Sequence, residues 1–111
     1  MTHSAELEEI IRKEFSCYYM ADELPGWNQL EQELPEMARR SAVRLKHGLG
    51  NNEAQELIKL LEISSQDPNH SVIQTICDAT LIDWAEEPQD WSVLQKLLHL
   101  IVMNLKQLSV A

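Results

Sequence analysis

The chain of 111 residues carries 18 acids against 9 Lys plus Arg, with 44% hydrophobic and 24% charged residues and only 3 Gly and 4 Pro, a balance that excludes disordered and fibrous classes. Residues 1–111 read as one domain, long enough to bury about two-thirds of its unfolded surface without staples. The formal net charge of −9 repels phosphate backbones and anionic lipid, which argues against nucleic-acid and membrane binding and for a basic partner.

Leu, Glu, Gln and Ala are plentiful, while β-branched residues are few and Phe occurs once. This favours helix over sheet and predicts an all-α domain: a single compact bundle of about five helices, with an irregular helical-hairpin stack as the variant. The first helix is expected from a Ser4 N-cap, with Glu6, Glu8 and Glu9 at the positive end of its dipole and Arg12 and Lys13 following. Leu7, Ile10, Ile11, Phe15 and Tyr18 share one face, Glu9 and Lys13 form an i,i+4 pair, and Leu24-Pro25-Gly26 ends the element.

A short amphipathic turn is expected over residues 27–33, with Pro35 opening the next helix. That helix runs to about His47 and stops at Gly48-Leu49-Gly50, read as a left-handed cap. Asn51 or Asn52 caps the third helix, where Asn52-x-x-Gln55 has the form of a capping box and Leu57, Ile58, Leu61 and Ile63 face inward. Asp67 and Pro68 suit the cap and first position of a fourth helix over about 69–85, which buries Val72, Ile73, Ile76, Cys77 and Thr80 or Leu81. The fifth helix starts at Pro88 or just after Asp90 and runs to about Leu108. Its stripe of Leu94, Leu97, Leu98, Ile101, Leu105 and Leu108 is widened by Val93, Leu100, Val102 and Met103, which places it in the middle of the bundle or against a second subunit. Residues 55–61 and 92–98 align at an offset of 37 residues, a match that two leucine-rich helices readily make by chance.

The opening Met-Thr-His-Ser-Ala-Glu-Leu-Glu-Glu has acids where a signal peptide has a basic and then an apolar region. The longest apolar run, Leu100-Ile101-Val102-Met103, falls far short of the roughly 20 residues of a membrane span. Cys17 and Cys77 read as buried free thiols rather than a disulfide. A soluble, cytoplasmic protein is the expectation.

No motif for chemistry is present. His3, His47, His70 and His99 are scattered, without a second ligand at helical spacing, and no zinc or calcium pattern occurs, so neither metal nor cofactor is expected. Gly48-Leu49-Gly50 lies between helices rather than after a strand, which removes a nucleotide loop. Neither cysteine has a base beside it in sequence. The chain is read as no enzyme.

Two segments concentrate charge. Arg39, Arg40, Arg44 and Lys46 fall within eight positions, a density that suits a DNA-recognition helix but equally a solvated or ion-paired one. Residues 82–91 hold Asp83, Glu86, Glu87 and Asp90 around Pro88, with Trp84 and Trp91 among them. The tryptophans suit packing into a helix corner. With the carboxylates they also suit a protein-binding surface, aromatic anchors ringed by partners for Lys and Arg. Trp27, near Asp22, Glu23, Glu31 and Glu33, repeats the theme. Asp83, Trp84, Glu86, Glu87, Asp90 and Trp91 are therefore the candidate partner-binding residues.

In size, charge and helical content the chain resembles bacterial immunity proteins. The resemblance implies an inhibitor or antitoxin that occludes the active site of a cationic nuclease toxin. The alternatives are a homodimeric chaperone or assembly adaptor with the C-terminal helix at its seam and, ranked lower, a DNA-binding regulator.

Overall fold

A computed structural model describes residues 2–16 and 27–110. Five helices make up the fold among these residues: α1 (Thr2–Phe15), α2 (Trp27–His47), α3 (Asn51–Ser64), α4 (Ser71–Thr80) and α5 (Pro88–Val110). The all-α bundle expected from composition is what forms. The predicted end of the first helix at Leu24-Pro25-Gly26, with Cys17 and Tyr18, lies outside the described residues.

Helix α1 starts at Thr2, so Ser4 lies inside the helix rather than capping it. Leu7, Ile11 and Phe15 recur at a spacing that keeps them on one face, and all three are buried. Glu9 pairs with Arg12 at 3.4 Å.

The largest departure from the expected elements is α2, one continuous helix of 21 residues with Pro35 inside it rather than a turn followed by a new helix. An interior proline removes one ladder hydrogen bond and crowds the preceding turn, at about 3 kcal/mol. Leu30, Leu34, Ala38, Ser41, Ala42 and Leu45 nevertheless form an unbroken buried stripe through that point. Burying Leu30 and Leu34 gains about 1.5–3 kcal/mol each, enough to hold the helix together across Pro35, whose ring faces solvent.

The cap of α3 is Gly50, at φ −75° and ψ 172°, two positions earlier than the predicted Asn52 box. The Gly50 N–H donates to Glu53 Oε1 at 3.1 Å, and the Gly50 carbonyl accepts from Ala54 at 2.9 Å. None of Gly48, Leu49 and Gly50 has a positive φ, so the left-handed cap read from the Gly-Leu-Gly pattern does not form. Ile63, expected inward, is exposed.

Helix α4 is shorter than predicted. Asp67 closes a local turn by accepting the Asn69 N–H at 3.0 Å, and His70 supplies the cap, its Nδ1 accepting the Val72 N–H at 3.1 Å. Leu81 then leaves the helix in the left-handed region.

Helix α5 packs along α2 and α3, and α1 packs along α4. Leu94, Leu97, Leu98, Ile101 and Leu105, with Val93 and Val102, are buried within the single chain. The central placement of α5 is therefore met without a second subunit, leaving Met103 and Leu108 exposed on it. Polar ties join the same neighbours: Gln95 Nε2 donates to the Ser65 carbonyl at 2.8 Å, Lys106 meets Glu62 at 3.0 Å, and Ser71 Oγ donates to Glu8 at 3.0 Å. The radius of gyration, 13.1 Å, is that of a compact chain of this length.

Candidate functional site

The residues singled out around Pro88 form a corner between α4 and α5. Its first determinant is Leu81 at φ 60° and ψ 30°, the one non-glycine residue with positive φ among those described. The reversal there swings Trp84 back over the end of α4. Thr80 Oγ1 donates to the Ile76 carbonyl at 2.8 Å and accepts from Trp84 Nε1 at 2.9 Å, so the side-chain polar atoms of both buried residues are used. Trp84 is 3% exposed and is a core residue of the corner. The surface-anchor role suggested by its neighbours is corrected accordingly, because its ring and its N–H are both occupied. Trp91 is half-buried against the same core.

The carboxylates go the other way. Asp83, Glu86 and Glu87 are exposed and Asp90 is half-exposed. Asp83 Oδ1 accepts the Ala85 N–H at 3.2 Å, which tightens the turn, and Pro88 opens α5 with Asp90 in its first turn. A carboxylate there is favoured by the helix dipole. Burial, together with the nearby Glu87 and Asp83, nevertheless holds the Asp90 carboxyl above its ordinary range. The Glu87 and Asp83 charges thus stand close enough to oppose ionisation of Asp90.

No cation answers them. Among the described residues Arg12, Arg39, Arg40, Arg44, Lys96 and Lys106 pair with Glu9, Glu36, Glu14, Glu31 or Glu62, and none of these pairs involves Asp83, Glu86, Glu87 or Asp90. The signal is in the sequence, at a longer range than the ten residues around Pro88. From Leu60 to Gln95 there is no Lys or Arg, while Glu62, Asp67, Asp78, Asp83, Glu86, Glu87 and Asp90 all fall in that run.

Beside the corner lies a cleft of about 500 Å³ between α4 and the 81–85 turn. Ile73, Cys77 and Ile82 form its apolar part, and Asp78, Asp83 and the exposed Leu81 stand on its border. Cys77 is a free, half-buried thiol. Burial pushes its pKa up, the backbone N–H groups of Trp84 and Ala85 work against that rise, and the Asp83 and Asp78 charges add to it. A thiol so held is a poor nucleophile at neutral pH. Asp78, Leu81 and Ile82 were not among the predicted site residues; the reversal at Leu81 places the 81–85 turn beside α4, where all three line one cleft with Asp83.

The basic segment is ion-paired. Arg39 bonds Glu36, and Arg40 lies 3.5 Å from the same carboxylate. Arg44 Nε reaches across to α1, donating to Glu14 Oε1 at 3.1 Å and Oε2 at 3.0 Å. Glu14 is only 7% exposed and also accepts from Ser41 Oγ at 2.8 Å. Lys46 Nζ faces Asn51 at 3.4 Å. Among the described residues no group of three or more His, Cys, Asp or Glu side chains is placed to hold a metal ion, and no helix is long and apolar enough to cross a membrane. Compared with protein-family models, curated proteins and solved structures, the chain matches none of them.

Proposed function

We propose that this is an acidic protein-binding domain that neutralises or escorts a basic protein partner, with Asp83, Glu86, Glu87 and Asp90 as the contact surface. In its most specific form it is an immunity protein that covers the active site of a cationic nuclease toxin. The observation that carries the reading is the cation-free corner. Arg12, Arg39, Arg40, Arg44, Lys96 and Lys106 pair with carboxylates elsewhere in the fold, whereas these four stand without such a pair, and the Glu87 and Asp83 charges repel that of Asp90. An Arg or Lys arriving from outside relieves that repulsion and forms charge-assisted hydrogen bonds. Such a field also speeds encounter with a positive surface and makes association salt-sensitive.

Of the two tryptophans expected as anchors, Trp84 and Trp91, the first is buried. With Trp84 in the core, the half-buried Trp91 is the tryptophan of this corner left to meet a partner. The homodimeric alternative rested on a fifth helix apolar nearly all round. Since α2 and α3 cover most of that surface, it no longer calls for a second copy.

The test is a tagged pull-down at low and high salt, scored for a stoichiometric basic protein, with Asp83→Lys, Glu87→Lys and Asp90→Lys as variants. The expected result is a partner that leaves as salt rises and that the triple reversal no longer retains. If that partner is a nuclease, its activity falls in proportion to the domain added. A stoichiometric partner indifferent to the three reversals sinks the assignment of the surface.

A further inference from the structure

We propose that the cleft between α4 and the 81–85 turn receives an apolar side chain flanked by Lys or Arg from the partner protein, with Leu81 as its apolar contact and Asp78 and Asp83 as its carboxylate rim. The proposal rests on the corner being a surface for a basic protein, and it supplies the anchor that Trp84 does not.

Three observations converge on it. Leu81 is the end of α4, in a left-handed conformation that Gly and Asn adopt readily and a bulky side chain rarely does. A residue needed only to end the helix would be one of those. Leu instead sets a large apolar side chain at the cleft border, 66% exposed, where it contributes little to the core. Second, the cleft, at about 500 Å³, lies within the roughly 300–1,000 Å³ of ligand-holding sites. Its apolar part runs from Leu81 and Ile82 to Ile73, which is fully buried.

The third observation is charge, which selects the occupant. Asp78 and Asp83 border the cleft, and neither Lys nor Arg lines it. The one imidazole there, His70, accepts the Val72 N–H through Nδ1, which leaves that nitrogen without a proton. An acidic occupant meets two like charges. A neutral apolar occupant strips water from two carboxylates and returns no partner, a penalty that buried polar groups do not sustain. A segment carrying an apolar side chain between cations satisfies both parts, the Lys or Arg stems lying along the apolar border while their heads reach Asp78 and Asp83. Asp83 belongs to both the cleft and the acidic corner, so one partner segment crosses from one to the other.

The experiment follows backbone amide shifts by NMR in the full chain, titrated with three short peptides of equal length: an amphipathic Leu/Lys peptide, the same peptide with Ser for every Lys, and polylysine. The Leu/Lys peptide is expected to bind most tightly and to move Ile73, Cys77, Leu81 and Ile82. Leu81→Asn should weaken that binding roughly tenfold, the scale of losing one well-packed apolar contact. Its thermal midpoint should not fall, since Asn accepts the left-handed backbone. If polylysine and the Leu/Lys peptide bind alike, shift only residues 83–91 and ignore Leu81→Asn, the cleft proposal fails while the acidic surface stands. Equal binding of the Leu/Ser peptide overturns the carboxylate rim, and no binding by any of the three overturns both the cleft and the surface beneath it.

Discussion

Glu14 is the residue whose surroundings the sequence conceals best. It occupies an apolar-face position of α1, seven residues after Leu7, yet reads as one more acid on an acidic chain. Buried at the contact with α2, it is held by Ser41 and Arg44, two polar residues that fall on or beside the buried stripe of α2. The two ends of the ion pair are unequal, with side chains 6% exposed for Glu14 and 50% for Arg44. Removing Arg44 leaves a buried carboxylate with little to offset its lost hydration, whereas removing the Glu14 charge lets the guanidinium turn to water. Arg44→Ala is therefore expected to cost about 2–3 kcal/mol and Glu14→Gln about 1 kcal/mol, read as midpoints of urea unfolding. Equal losses, or the reverse order, would contradict this account. Trp84 shows the same limit from the other side: the tryptophan–acid pattern suits a surface and a corner alike, and its bond to Thr80 shows it to be a corner residue.

Among the elements, α2 shows tertiary burial overriding local propensity. Pro35 is a strong local signal for a helix start, but two leucines before it share a buried face with the alanines after it, and the helix runs through. Because Pro35 is itself exposed, its removal restores a backbone donor and frees the preceding turn without opening a cavity. Pro35→Ala is expected to stabilise the domain by about 1 kcal/mol or more, seen as a higher thermal midpoint. A lower midpoint would mean that α2 depends on a bend there. The α4–α5 connection carries the complementary lesson. Periodicity continues to Ala85, but the left-handed Leu81 ends the helix at Thr80 and turns what would have been a helical acid face into a compact corner.

Over the whole molecule, charge is sorted rather than scattered. Arg12 of α1, Arg39, Arg40 and Arg44 of α2, and Lys96 and Lys106 of α5 find carboxylates, while the run from Leu60 to Gln95 holds no Lys or Arg. This gives stability a definite pH signature. The Asp90 carboxyl is raised by burial, Glu87 and Asp83, so its contribution is fully present below the unfolded-state pKa and is lost as pH rises through the folded value. Glu36 is the opposite case. The Arg39 hydrogen bond lowers it, so its contribution is present above the ordinary carboxylate range and is lost as pH falls through the depressed value. Both groups face water, so both effects are small. A carboxyl-detected NMR titration should find Asp90 above and Glu36 below their ordinary ranges. Glu87→Gln should lower Asp90 only part of the way, since burial is the larger cause, and an Asp90 midpoint that does not move would mean the acids are not coupled.

Composition and 3.6-residue periodicity determined the helical class, the number of helices, the apolar faces of α1, α4 and α5, and the sign of the surface. These depend on residue type and spacing along one element, and any burial of such faces satisfies them. Where α2 begins, which acid is buried, which tryptophan is core and where Leu81 breaks α4 were decided only in the folded chain. Each is a contest between a local preference of about 1–3 kcal/mol and burial worth as much or more, and burial is set by neighbours distant in sequence. The cleft beside Asp83 belongs to that second group. Its walls come from the end of α4 and the turn that follows, and they meet only because Leu81 reverses the chain.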